Sequence, residues 1–414
     1  MKQTGNQKIM VSKTVDDPND LLRKKSLKIV LSVVVLMPFL FIYLKYLHVT
    51  PQVVNEPDIS VPSGIVPSSI PAEMKVAQVG TKRDASFAEL IPVHCDGGTV
   101  ILSKDGQKAF VVASNREGIS TVDISNPGSV REVAYYDHAR TANYPDPKKV
   151  YADQMDAVLS LDGEVLFVLD WNLGLYAMHI GVGGDLRVVD HLKLFGSSKI
   201  TLASDGTRAY LSGQNGLYVI NVENPKRLQL AGHYDENGYR SKMSPPRFIY
   251  TGDIAEVRPG TLYLLKGSGG IDVFDVRSET RPRKIGTYST LGRGIKMEVA
   301  KNGERLYIIG GESGMEIVDI ADPLQPKPLG GYLDDQRIFD IALSELGSSR
   351  AYLNAGEEIE VVDVHYPYDP KLLYRVKMPK EKSIRGITLL KEGRYIMQTG
   401  WYNVATARTS EVAK

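Results

Sequence analysis

Five side chains recur at one place in a repeated phrase, and their type invites a metal-binding reading. Asp123, Asn221, Asp275, Asp319 and Asp363 stand just before a turn in "GISTVDISNP", "GLYVINVENP", "GIDVFDVRSETRP", "GMEIVDIADP" and "EIEVVDVHYP". Carboxylates and amides ligate a hard cation only where they converge. One copy per repeat keeps these apart, and a short acceptor before a turn is suited to bond nearby backbone N–H groups. They are read as hairpin locks. His94, His138, His179, His191, His233 and His365 show no HxH or HExxH spacing. There is no GxSxG elbow, and Cys95, the single cysteine, has no identifiable partner, so nucleophilic catalysis has no support. "KGSGG" (Lys266–Gly270) and "GGESG" (Gly310–Gly314) lie between strands, without the helix N-terminus a phosphate cradle needs. No catalytic residue, metal ligand or cofactor is expected.

A second set appears seven residues before each of a series of glycine turns: Thr99, Asp156, Lys199, Asp253, Lys296, Asp340 and Gly386. Five of them alternate acid and base. The next position reads Val100, Ala157, Ile200, Ile254, Met297, Ile341 and Ile387, apolar throughout. A charged ring near one end of a channel is expected. Its charges either pair between neighbouring repeats or bind a small polar ligand or ion, with Asp156, Asp253 and Asp340 as acceptors.

The elements that would position these residues repeat too. Gly106, Gly163, Gly206, Gly260, Gly303, Gly347 and Gly393 each precede an apolar strand, at spacings of 57, 43, 54, 43, 44 and 46 residues. A second strand, a turn that usually bears proline, and a third strand follow, so each unit reads as four short strands. The period is that of propeller blades. The last unit lacks an outermost strand, and "PAEMKVAQVG" (Pro71–Gly80) has the pattern of one. The expected fold is all-β: a seven-bladed β-propeller of four-stranded blades, its ring closed by the N-terminal strand.

The repeated phrase resembles the LVIVD repeat family over about residues 95–378. That resemblance implies a β-propeller, common in exported or surface proteins, and little about activity. Blade two departs from the phrase, with His179 where the others carry Asp or Asn and "GVGGD" in place of the proline turn.

Two spacings exceed the rest, which marks insertions at Tyr135–Gln154 and His233–Gly252. Both fall where an outer strand hands over to the next blade, on the face shared with loops such as "DWNLG" (Asp170–Gly174). Their mixture of Tyr, Arg, Lys and Asp suits recognition. Tyr135, Tyr136, Arg140, Tyr144, Trp171, Tyr239 and Arg240 are the partner-binding candidates; the alternative is that the insertions are solvated loops over a blade seam.

The N-terminus supplies the compartment. Ile29–Leu44, "IVLSVVVLMPFLFIYL", is uncharged, and with the following residues it approaches the ~20 needed to span a bilayer. Arg23, Lys24, Lys25 and Lys28 precede it, which puts residues 1–28 in the cytoplasm and the rest outside. A cleaved signal peptide is the alternative, but 28 preceding residues are long for one and "KYLHVTPQVV" lacks a small-x-small site. The expected organisation is a cytoplasmic tail (1–28), a transmembrane anchor (29–48), a proline-rich linker (49–73) and a propeller (74–414). Among 414 residues, 50 basic against 49 acidic side chains give no pull toward nucleic acid. The function expected is a membrane-anchored binding or scaffolding module whose partner is an envelope or extracellular protein. The alternative is an envelope enzyme or small-ligand protein with its site at the channel mouth.

Overall fold

Backbone reversal at glycine makes the repeating unit. Gly106, Gly163, Gly206 and Gly303 take φ values of 64°, 83°, 74° and 69°, a region costly for any residue with a Cβ. Each reversal joins an innermost strand to its antiparallel neighbour. The computed structural model describes residues 85–86, 90–113, 117–141, 155–214, 216–235, 252–266, 269–333, 337–344, 349–377 and 384–409. All lie within one unit, Ser63–Lys414. Gly347 lies outside the described residues, as do the tail, the apolar segment 29–48 and the linker.

Seven sheets form, their strands running in chain order from the centre outward. The innermost strands of blades one to seven are Thr99–Leu102, Met155–Leu159, Ser197–Leu202, Ile254–Arg258, Lys296–Val299, Asp340–Leu343 and Gly386–Leu390. Each touches the innermost strand of the next blade, and that of blade seven touches that of blade one. The molecule is an all-β, seven-bladed propeller of four-stranded blades. In blade seven the outer place beside Asn403–Arg408 is taken by Ile91–Pro92, which pairs antiparallel with Val404 and Asn403. The segment 74–80 expected there lies outside the described residues. Ala85–Ser86 adds to blade six instead, parallel to Lys371–Lys377.

Strand periodicity sends alternate side chains to opposite faces, so every blade buries apolar residues on both sides. Seven apolar clusters result, one at each seam. Phe110 and Ile119 of blade one meet Leu166 and Met178 of blade two; Met397 and Val404 of blade seven meet Cys95 and Val111 of blade one. Burying one such Leu, Ile or Phe is worth about 1.5–3 kcal/mol. A lone blade would leave both faces wet, which is why the phrase must repeat.

The recurring acids occupy the turns as expected. Asp123, Asn221, Asp275, Asp319 and Asp363 each accept, through Oδ1, the backbone N–H two residues on, at 2.9–3.2 Å. A second acceptor sits further along three of these turns: Asn126, Asn224 and Asp322 take the N–H of Gly128, Lys226 and Leu324 at 3.0–3.1 Å. Asn224→Ala removes one such bond without touching a seam. It is expected to cost about 1 kcal/mol, read as a lower urea midpoint at unchanged slope; an unaltered midpoint would deny the turn role.

Candidate functional site

An innermost strand is a sheet edge, and half of its backbone groups have no ladder partner. The polar ring supplies one. Asp156 Oδ2 accepts the N–H of Ile200 in blade three at 3.2 Å. Asp253 Oδ2 accepts that of Met297 in blade five at 2.8 Å, and Asp340 Oδ2 that of Ile387 in blade seven at 2.9 Å. The other oxygen of Asp253 and of Asp340 takes the N–H of the following residue in its own strand. Lysine serves the carbonyls: Lys296 Nζ donates to the Asp340 carboxylate and reaches the Ile341 carbonyl oxygen at 3.4 Å. Thr99 in blade one donates its hydroxyl to Asp156 Oδ1 at 3.0 Å. Between blades seven and one the backbones meet directly; a Cβ on Gly386 would lie 2.4 Å from the Gly98 carbonyl oxygen. The ring is a belt that joins blade to blade.

Charge balance follows from this geometry. Asp156 and then Asp253 hold the Lys199 ammonium above its ordinary pKa, against the opposing effect of burial. Burial works against Lys296 as well, but Asp340 and Glu298 outweigh it and keep that lysine charged. Burial raises two carboxyls here: that of Asp253, against the opposing pull of Lys199 and the Met297 N–H, and that of Glu298, two residues along the same strand as Lys296. It takes the pKa of Glu298 to about 7, and Asp253 and Asp340 add to the rise while Lys296 opposes it. Among the described residues no group of three or more His, Cys, Asp or Glu side chains is placed to hold a metal ion.

The first insertion builds a different feature at the rim. Tyr135 and Tyr136 are adjacent in the outer strand Arg131–Asp137, so they face opposite ways. Tyr135 turns toward blade seven, stacks on His94 at 5.0 Å and donates its hydroxyl to the Glu117 carbonyl oxygen. It does not share a surface with Tyr136, which packs toward blade two. The chain then enters a one-turn helix, His138–Thr141. His138 is fully buried, with Nε2 3.0 Å from Asp170 Oδ2, and that carboxylate's Oδ1 accepts the N–H groups of Asn172 and Leu173. This contact ties the insertion to the "DWNLG" loop. Trp171 is buried, 2% exposed, with its ring against Phe195. It shapes the loop and is not presented to a partner. Arg140 is exposed; Tyr144, Tyr239 and Arg240 lie outside the described residues.

Between insertion and outer strand lies a groove of about 880 Å³. Its floor includes Tyr136, Leu173 and Tyr176, the last stacked on His191 with ring centres 4.0 Å apart. Arg187, Lys193 and Phe195 are exposed at its rim. No Asp or Glu is among the described residues that line it. Of these groups only Tyr136 was expected; Arg187, His191 and Lys193 sit on the outer strand Leu186–Lys193, whose exposed alternation in sequence is ordinary, and Phe195 lies two residues beyond it.

Three buried acids also escaped the sequence. Asp272, Glu316 and Glu360 occupy the third place of "GIDVFD", "GMEIVD" and the equivalent place in "EIEVVD". Asp272 lies 3.0 Å from the Nζ of both Lys266 and Lys284. Glu316 accepts the Tyr288 hydroxyl from blade four at 2.6 Å, and Glu360 accepts that of Tyr332 from blade five at 2.9 Å. Their signal was a carboxylate at an alternation position that points inward.

Residues 109–138 match the LVIVD repeat. No curated protein matches the chain. Among solved structures, the β-propeller domain of Cps50 (Swd1) from Myceliophteria thermophila is similar at 11% identity, with a TM-score of 0.58 over 79% of this chain and 100% of that one. The C-terminal WD40 domain of Sif2 is similar at 12% identity, with a TM-score of 0.53 over 80% of this chain and 99% of that one. At these identities the likeness establishes the fold alone.

Lys296→Glu puts a third carboxylate beside Asp253 and Asp340 and is expected to destabilise by about 3 kcal/mol; a wild-type melting curve would mean the belt charges point to open water. Glu298 gives the belt a pH signature. Between pH 4.5 and about 7 the folded protein holds a proton that the unfolded chain has released. Stability should therefore fall across that window as pH rises, by about 1–2 kcal/mol after allowance for channel water. Glu298→Gln should flatten the fall. Melting temperatures at pH 5 and pH 8 for both proteins decide it; equal slopes would place the titration elsewhere.

Proposed function

We propose that this protein is a propeller anchored in the membrane by residues 29–48 and displayed outside the cytoplasm, where it serves as a protein-binding or scaffolding module of the cell envelope. The observation that carries the reading is the rim groove at blade two, which among the described residues combines an aromatic and aliphatic floor with two cations and no carboxylate. Such a lining fits a partner segment that presents an apolar side chain flanked by acidic residues, with the apolar group supplying affinity and the cations orientation. The anchor rests on the apolar run and the basic residues before it. Closure of the ring from the N-terminal side belongs to the same reading, and the pairing of Ile91–Pro92 with Asn403 and Val404 supports it, since it covers the edge an unpaired blade seven would offer to other chains. The rival, an enzyme or small-ligand protein at the channel mouth, draws nothing from the belt, whose carboxylates are engaged by backbone N–H groups and lysine.

Fluorescent peptides with Phe or Leu between Asp and Glu residues test the groove, against scrambled and basic peptides. Binding should weaken as salt rises and drop at least tenfold in Arg187→Glu/Lys193→Glu and in Tyr136→Ser, with melting temperatures preserved. Equal binding of acidic and basic peptides, or binding untouched by these substitutions, would sink the assignment.

A further inference from the structure

The turn between the third and outer strands repeats in five blades with a similar backbone. Its closing bond runs from the N–H of Ser129, Arg227, Arg281, Gln325 and Asp369 to the carbonyl oxygen of Asn126, Asn224, Ser278, Asp322 and Tyr366, at 2.9–3.3 Å. In three of these turns the first residue adds a side-chain bond to the N–H two residues on. Blades four and six lack that bond, with Ser278 and Tyr366 in the first place. Tyr366 cannot make it, and its ring is 56% exposed; Tyr368, two residues on, is 69% exposed. Unlike Ser278, Tyr366 puts a large exposed ring in place of the bond, and such a departure without a packing gain is expected at functional sites.

The surroundings say which purpose. Tyr366 and Tyr368 have ring centres 5.9 Å apart, and His365 sets its ring edge-on to Tyr366 at 4.6 Å. Arg305 of blade five braces the turn from behind through the carbonyl oxygens of Val364 and His365, at 3.3 and 3.5 Å. Both rings stand over a groove of about 1010 Å³ that follows the seam between blades five and six, from Glu298 at the channel out to Tyr368. Among the described residues its lining carries three cations, Lys301, Arg305 and Arg350, and three acids, Glu298, Glu304 and Asp319. Balanced charges neither steer nor reject by sign, so a charged ligand gains nothing here. Interleaved donors and acceptors instead match a ligand whose own groups both donate and accept. Flat exposed rings match one with a broad, weakly polar face.

We propose that this groove binds a neutral oligosaccharide, with sugar rings stacked on Tyr366 and Tyr368 and hydroxyls bonded along the seam. Hydroxyls supply donors and acceptors in equal measure, and the C–H face of a pyranose supplies the stacking surface. The volume is at the upper end for a small-ligand pocket, room for more than one sugar unit. The site lies at a different seam from the blade-two groove and does not depend on it.

Calorimetric titration of the full chain with three neutral hexasaccharides tests this: one α-1,4-glucan, one β-1,4-glucan and one β-1,4-linked N-acetylglucosamine chain. At least one should bind, at least tenfold more weakly in Tyr368→Ala. Tyr366→Asn should lose affinity to the same degree and, by regaining the turn bond, melt about 1–2 °C higher. Arg187→Glu/Lys193→Glu should bind sugar as the wild type does, which separates this site from the peptide groove. Failure of all three sugars to bind, undiminished binding in Tyr368→Ala, or a lower melting temperature in Tyr366→Asn would overturn the proposal. So would a protein held through the two tyrosines while the sugars stay inert.

Discussion

A propeller brings seven strand edges together around one axis, and edge backbone that is neither paired nor wet is costly. The rest of this molecule depends on how that cost is met. Aspartate reaches from one blade to an amide of the next, and lysine reaches from one blade to a carboxylate and a carbonyl of the next. These bonds fix the angle between neighbouring blades at the centre. The apolar seams further out can then close without polar groups of their own edge to hydrate.

Seams and surfaces divide the work. Each of the seven seams is built on an apolar cluster shared by two blades. Blades four to six add a buried acid in the third strand, twice paired with a tyrosine hydroxyl from the preceding blade. These acids make neighbouring seams chemically distinct, which favours one blade order over its permutations. Individuality lies in what the seams hold up: the insertion after blade one, tied down by His138 and Asp170, and the altered turn of blade six. Both are loops braced by a rigid scaffold, the usual arrangement for recognition.

What the sequence disclosed follows from the range of the interactions involved. Turn acceptors act within two residues, so Asp123 and its four counterparts could be assigned from the phrase alone. The belt was legible because a period of about one blade lines up residues that meet only at the axis. Blade count came the same way. The rim groove was half hidden: Tyr136 stood out in an insertion, but Tyr135 and Trp171 were grouped with it until strand alternation and burial separated them. Arg187, Lys193 and Phe195 gain meaning only from a blade that lies beside theirs in space. The place of Ile91–Pro92 beside Asn403–Arg408 is not legible in the sequence, because two residues carry too little alternation to announce a strand. Tyr366 stands in plain view within "HYPYDP", yet it becomes informative only once its ring is seen exposed over the seam groove, in a turn shared by five blades.

Acid and base alternate around the belt from blade two to blade six, and seven is an odd number. An alternation with a period of two cannot close on an odd ring; carried through, it would set one aspartate against another, as an odd ring of antiparallel spins must leave one pair mismatched. The chain places that mismatch at the two blades where its first and last strands meet, and removes it by using uncharged residues, Thr99 and Gly386, there. The point of broken order is therefore also the junction of the ring. A ring of six or eight such blades could carry the alternation without a defect, and would have no electrostatic mark to show where it begins.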